Sequence, residues 1–143
     1  MTKIPETYKG LSIAINNNYS KYNASYNKFS QVIVIYPNFS TLSNIKQKSI
    51  LEHEYAHHVY YKMPLAYKKI WQYLSNWKLI NLLNIMWITK CKKNAYVSEY
   101  AKTDVKEDFA ECIEKKVLWE SFKTFAQVKM DIANSMYNYY SKK

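Results

Sequence analysis

Two hydrophobic periods divide this chain. Residues Gln31-Val32-Ile33-Val34-Ile35-Tyr36 form a β-branched apolar run that Pro37 stops, the strongest strand signal present. Gly10 to Ile15 reads as a shorter strand, and the Asn/Ser/Tyr-rich stretch from Asn16 to about Ser30 reads as a loop. Beyond Pro37 the period lengthens. Ile45, Ser49, Ile50, a histidine cluster, Tyr60 and Tyr61 occur in turn without a proline until Pro64. That spacing predicts a helix over about 43–62, with Ser43 or Ser40 as its N-cap. From Pro64 to about Lys90, Tyr67, Ile70, Trp71, Leu74, Ile80, Leu83 and Trp87 are inward candidates, predicting two helices broken near Ser75-Asn76. A further helix starts near Thr103 or Asp104, and a last one runs from about Glu120 to Tyr139. The order is that of an α+β fold, a small mixed sheet followed by a helix-rich region.

Composition narrows the picture. The 143 residues are enough for one core, so residues 1–143 are expected to form a single domain. At 48% hydrophobic and 17% aromatic residues, the chain is not a disordered segment. With Gly10 as its one glycine it carries no flexible linker, and no repeat is visible. No apolar run reaches the roughly 18 residues a membrane span needs; the nearest, Leu79 to Ile88, is interrupted by Asn81 and Asn84.

The formal charge is +10, and every basic residue is lysine. Seven lysines fall between Tyr55 and Ser98 with no acidic residue (Lys62, Lys68, Lys69, Lys78, Lys90, Lys92 and Lys93), and Trp71, Trp77 and Trp87 interleave with them. One reading is an electropositive 62–93 region that attracts an anionic partner, nucleic acid or an acidic protein. The other is a solvated lysine face over inward tryptophans. Absent arginine argues against specific phosphate-fork recognition.

Histidines carry the sharpest chemical signal. The three in the chain lie between residues 53 and 58, and His53-Glu54-Tyr55-Ala56-His57 is an H-E-x-x-H sequence. On a helix, residues four apart share a face, so His53 and His57 can offer imidazole nitrogens to one metal ion. Glu54 can reach a water on that metal and take its proton. His58 has no histidine four residues away and is expected to be a packing residue or to stand behind a ligand, and not to be a ligand itself. Ligand type favours one zinc ion, although two histidines and a carboxylate also suit other divalent metals.

A catalytic zinc needs a third protein ligand. Glu107 and Glu111 stand four apart on the predicted helix after Thr103. One can bind the metal while the other holds a ligand histidine through its second ring nitrogen. Asp108 competes as a ligand but points about a third of a turn away. Asp104 reads as an N-cap or first-turn acid.

The segment Glu107-Asp108-Phe109-Ala110-Glu111, with Tyr100 seven residues before Glu107, resembles the third-ligand helix of the anthrax lethal factor-like zincins, a group that includes the Pro-Pro endopeptidase-type peptidases. The resemblance covers about residues 30–125. The fifty residues from His57 to Glu107 are similar to that group's spacing and longer than in thermolysin-like enzymes. It implies a zincin-like fold and a gluzincin metallopeptidase. His53, His57 and Glu107 would be ligands, Glu54 the general base, Tyr100 the group that stabilises the oxyanion, and Glu111 the carboxylate behind a ligand. It also implies an edge strand that pairs with the substrate backbone. Residues 31–36 are the candidate, with Val32 and Val34 as substrate-binding positions.

Two functions compete. One is a zinc-dependent endopeptidase acting on a peptide or protein substrate. The other is a catalytically inactive, zincin-like basic binding protein, associated with a virion or with nucleic acid. Met1 to Glu6 lacks the apolar core of a signal peptide, which predicts a cytoplasmic or virus-associated protein; a secreted mature form also fits. Cys91 and Cys112 lack metal-ligand spacing and are expected to be free thiols. Abundant Lys, Asn, Ile and Tyr suggest an AT-rich coding sequence, as in a low-GC bacterium, its viruses or its plasmids.

Overall fold

A computed structural model describes residues 10–81, 86–89, 95–122 and 125–142. Three strands, β1 (Ser12–Ile15), β2 (Ala24–Asn27) and β3 (Val32–Ile35), make a mixed sheet in the order β1-β3-β2. β1 runs parallel to β3 and β2 antiparallel to it. Ile33 and Ile35 turn into the core, as the alternation of a half-buried strand requires. The fold is α+β; among the described residues four α-helices follow this sheet, α1 (Asn44–Lys62), α2 (Leu65–Leu74), α3 (Val105–Val117) and α4 (Phe125–Tyr140).

Helix α1 starts after Ser43, whose extended backbone makes it the N-cap, and ends at Lys62, two residues before Pro64, because proline disfavours a helical Met63. It is the centre of the molecule. The sheet lies against it through β2, and α3 and α4 pack on it from elsewhere, leaving Ala56 fully buried. Helix α3 is capped by Asp104, whose carboxylate accepts from the Lys106 N–H at 2.8 Å. Its first turn carries Glu107 and Asp108, where the helix dipole favours acids. Phe109 joins α3 to its neighbours through aromatic contacts with Tyr60 and with fully buried Trp71.

The structure corrects three expectations. The chain does break at Ser75-Asn76, where Asn76 adopts a left-handed φ of 51°. The next element is a hairpin, β4 (Trp77–Asn81) and β5 (Met86–Thr89), and not a second helix. Trp77 pairs with Thr89 and Leu79 with Trp87, so aromatic and branched residues won as cross-strand pairs over their helical spacing. Second, the predicted 16–30 loop contains β2. Third, residues 31–36 are not at an edge. β3 is hydrogen-bonded to β1 on one side and β2 on the other, so Val32 and Val34 have no free backbone for a substrate strand. Among the described residues no helix is long and apolar enough to cross a membrane.

The lysine-rich region divides. Trp71 and Trp77 are buried, while Lys62, Lys69 and Lys78 are exposed, so those indoles are not part of a basic surface. Cys112 is a buried free thiol. The backbone at Lys90, Cys91, Lys92 and Lys93 and the side chain of Trp87 lie outside the described residues.

Candidate metal centre

Helices α1 and α3 cross so that one turn of each faces the other. One turn of α1 separates His53 from His57, and both rings turn toward α3, where Glu107 meets them. Glu107 Oε2 lies 3.2 Å from His53 Nε2 and 3.4 Å from His57 Nε2. All three donor atoms lie within 4.8 Å of one another. Ligand atoms about 2.05 Å from a tetrahedral zinc are separated by about 3.3 Å, so the two spacings fit such an ion. These residues are geometrically able to hold a metal.

A second pair of carboxylates stands behind His53. Its Nδ1 lies 3.1 Å from Glu114 Oε2 and 3.4 Å from Glu111 Oε1. Lys46 of α1 holds the other Glu114 oxygen at 2.5 Å. His53, Glu111 and Glu114 form a further group able to approach one ion. The Lys46 ammonium beside it makes a structural role for this second group more economical than a second cation. Burial alone would lower the pKa of His53, but Glu107, Glu111 and Glu114 around it reverse this and hold it well above the usual value. Burial would raise Glu107, yet the hydrogen bonds from His53 and His57 drive it far below the usual carboxylate range.

Glu54 is buried next to the cluster, and burial raises its pKa against the opposing pull of His57 and His53. The backbone amide of Tyr26 lies close enough to Glu54 to oppose that rise. The strand register explains that contact. Tyr36 N–H donates to the Asn23 carbonyl at 3.0 Å, and Ser25 faces Val34, so the β2–β3 bonds fall at Asn23, Ser25 and Asn27. Ala24 and Tyr26 therefore point their backbone groups away from β3. β2, not β3, is the edge beside the cluster.

Tyr100 lies on a 3-10 turn, Tyr100–Lys102, just before α3. Thr103 Oγ1 donates to the Tyr100 carbonyl at 2.7 Å, and Ser98 Oγ accepts from Ala101 N–H at 2.9 Å, fixing the turn. The ring stacks on His53 with centroids 6.5 Å apart, and half of the residue is exposed (50%). Burial of its inner part and the carboxylates of Glu107, Glu54 and Glu111 push its hydroxyl up to about 12, so it stays a donor at neutral pH.

The cluster forms a wall between two clefts. His57 and Glu107 line one of about 450 Å³, with Tyr26, Lys28, Tyr61 and Lys106. His53, Glu54 and Tyr100 line the other, of about 290 Å³, with Tyr22, Glu111 and Glu114. His58 turns away, shares a 2.9 Å hydrogen bond with the Tyr26 hydroxyl and stacks on Tyr55. Burial and the nearby Lys62 lower its pKa to about 4, which keeps it neutral. Asp108 also leaves the cluster. It is buried against Lys129, Ser75 and Trp77. Sequence reasoning missed Glu114 and the Tyr26 N–H. Glu114 was visible as the third acid of the 107, 111, 114 spacing on one helix face; the Tyr26 contact depends on strand register and left no local signal.

No protein-family model, no curated protein and no solved structure matches this chain.

Proposed function

We propose that this protein is a zinc-dependent metalloendopeptidase, with His53, His57 and Glu107 as the ligands. The observation that carries the reading is the convergence of both histidines on one Glu107 oxygen, at 3.2 and 3.4 Å, close to the edge length of a zinc tetrahedron, with a buried glutamate alongside. A zinc ion there would polarise the peptide carbonyl and bring the pKa of a water down to about 7.

The chain's own residues supply the rest. Glu54 accepts the proton of the attacking water on a carboxylate oxygen and returns it to the leaving amine nitrogen. The Tyr100 hydroxyl, protonated at neutral pH, hydrogen-bonds the oxygen on which negative charge develops. Glu111 and Glu114 stand 3.4 and 3.1 Å from His53 Nδ1, without a well-formed hydrogen bond to it, and their negative charge behind the ring favours Nε2 as the atom offered to the metal position. The outer edge of β2, in place of β3, would align an extended substrate with the Tyr26 carbonyl, the Tyr26 N–H being turned toward Glu54.

The test is Glu54→Gln. It should abolish hydrolysis of a peptide library read by mass spectrometry and leave one zinc bound per chain. Turnover that persists in purified Glu54→Gln would refute the assignment of the base. Zinc bound without turnover by the parent chain would favour the inactive binding-protein reading.

A further inference from the structure

The larger cleft differs in charge and surface from its neighbour. Its floor is aromatic: the rings of Tyr26 and Tyr61 lie 6.1 Å apart. Two ammonium groups sit over the Tyr61 ring, Lys28 Nζ at 5.5 Å and Lys106 Nζ at 5.7 Å from its centre. Lys106 also donates to the Tyr61 hydroxyl at 3.3 Å, which keeps its head in the cleft, and is 3.7 Å from Asp104. Lys28 has only aromatic faces around it, those of Tyr61 and Phe29, and no carboxylate partner among the described residues. The lysines reach the cleft from different elements, one from the turn after β2 and the other from α3.

Across the wall, the smaller cleft holds Glu54, Glu111 and Glu114, and its Lys46 is committed to Glu114. A peptide laid along β2 would thus meet free positive charge on the His57 side and carboxylates on the His53 side. In the larger cleft, Glu107 is the one carboxylate among the lining residues, and in the proposed function its charge is directed at the metal.

We infer that the Lys28–Tyr61–Lys106 cleft is a specificity subsite for an acidic side chain, Asp or Glu, of an extended peptide substrate. The carboxylate lies between the two ammonium groups, and its methylene stem packs on the Tyr61 ring. The chain's charge of +10 draws acidic substrates toward the same surface. This inference rests on the peptidase reading for the placement of the peptide, but its test does not require cleavage.

The test uses the full-length Glu54→Gln chain with zinc, and the parent chain with a chelator. Each is titrated into fluorescein-labelled decapeptide pools that are degenerate except for one fixed Glu, Gln or Lys. Fluorescence anisotropy reports binding. Exposed ion pairs are individually weak, so two lysines should favour the Glu pool over the Gln pool by about three- to tenfold at low salt. The preference should fall as salt rises and drop below about twofold in Lys28→Gln/Lys106→Gln. Lys28→Glu should turn the preference toward the Lys pool, a gain that misfolding cannot produce. Equal binding of the Glu and Gln pools, or a Glu preference untouched by the double variant, would overturn the subsite. Zinc binding and cleavage without any Glu preference would leave the peptidase reading standing and remove this one. A lysine-dependent Glu preference in a chain that binds no zinc would do the reverse.

Discussion

Lys129→Met removes the cation from the most deeply buried charge pair among the described residues. Lys129 and Asp108 are both 0% exposed. The ammonium donates to both carboxylate oxygens, at 2.7 and 2.8 Å, and lies 4.4 Å from the centre of the Tyr96 ring. Ser75 Oγ and Trp77 Nε1 complete the shell at 2.8 and 3.0 Å. The pair ties α3 to α4 and to the start of the hairpin, one residue from Glu107. Methionine keeps most of the stem volume, so packing changes little and the perturbation is the stranded carboxylate. Removing one partner of such a pair costs about 3–5 kcal/mol, a large share of the roughly 5–15 kcal/mol that typically holds a domain. At about 4 °C per kcal/mol, the Tm should fall by roughly 12–20 °C. Adding Asp108→Asn removes the stranded charge and should recover more than half of the loss. Urea unfolding followed by circular dichroism measures the single variants and the double, and the cycle gives the coupling. A Tm within about 3 °C of the parent for Lys129→Met, or a double variant no more stable than it, would refute the argument.

Other consequences are checked more briefly. Glu114→Gln and Glu111→Gln should each weaken zinc affinity by about 10–100-fold in competition with a chromophoric chelator, because each removes a negative charge within 3.4 Å of His53 Nδ1. Tyr100→Phe should lower kcat by about 10²–10³ with KM nearly unchanged, since its hydroxyl acts on charge that exists only in the transition state. Tyr60, 5% exposed, has its phenol pushed up to about 12, chiefly by burial. Its neutral form is therefore preferred by the folded state, and that stability is lost as pH rises from about 10 to 12. The parent should lose about 2–3 kcal/mol more than Tyr60→Phe over that range in urea titrations; parallel curves would contradict the assignment.

How much could be read from the sequence depended on how local each signal was. The α1 helix was legible because its caps, its proline stop and its 3.6-residue period all agree, and the same period paired His53 with His57. Glu107 and Glu111 were found by the same rule on α3. The hairpin at Trp77–Thr89 was not, because short apolar runs fit both periods and only the cross-strand pairing of Leu79 with Trp87 separates them. β2 was hidden in an Asn/Ser/Tyr-rich stretch of low strand propensity, and tertiary contact with α1 overrides that preference. Which strand forms the edge is a property of topology, so the strongest strand signal was placed at the edge when it belongs in the middle.

Metal content tests the central claim most directly. Untagged protein, incubated with zinc and dialysed, is assayed by plasma mass spectrometry beside Glu107→Ala, with circular dichroism to show that both are folded. The account predicts about one zinc per chain in the parent and loss of that zinc in the folded variant. A parent chain that retains no metal, or a Glu107→Ala chain that keeps it with undiminished affinity, would contradict the three-ligand site.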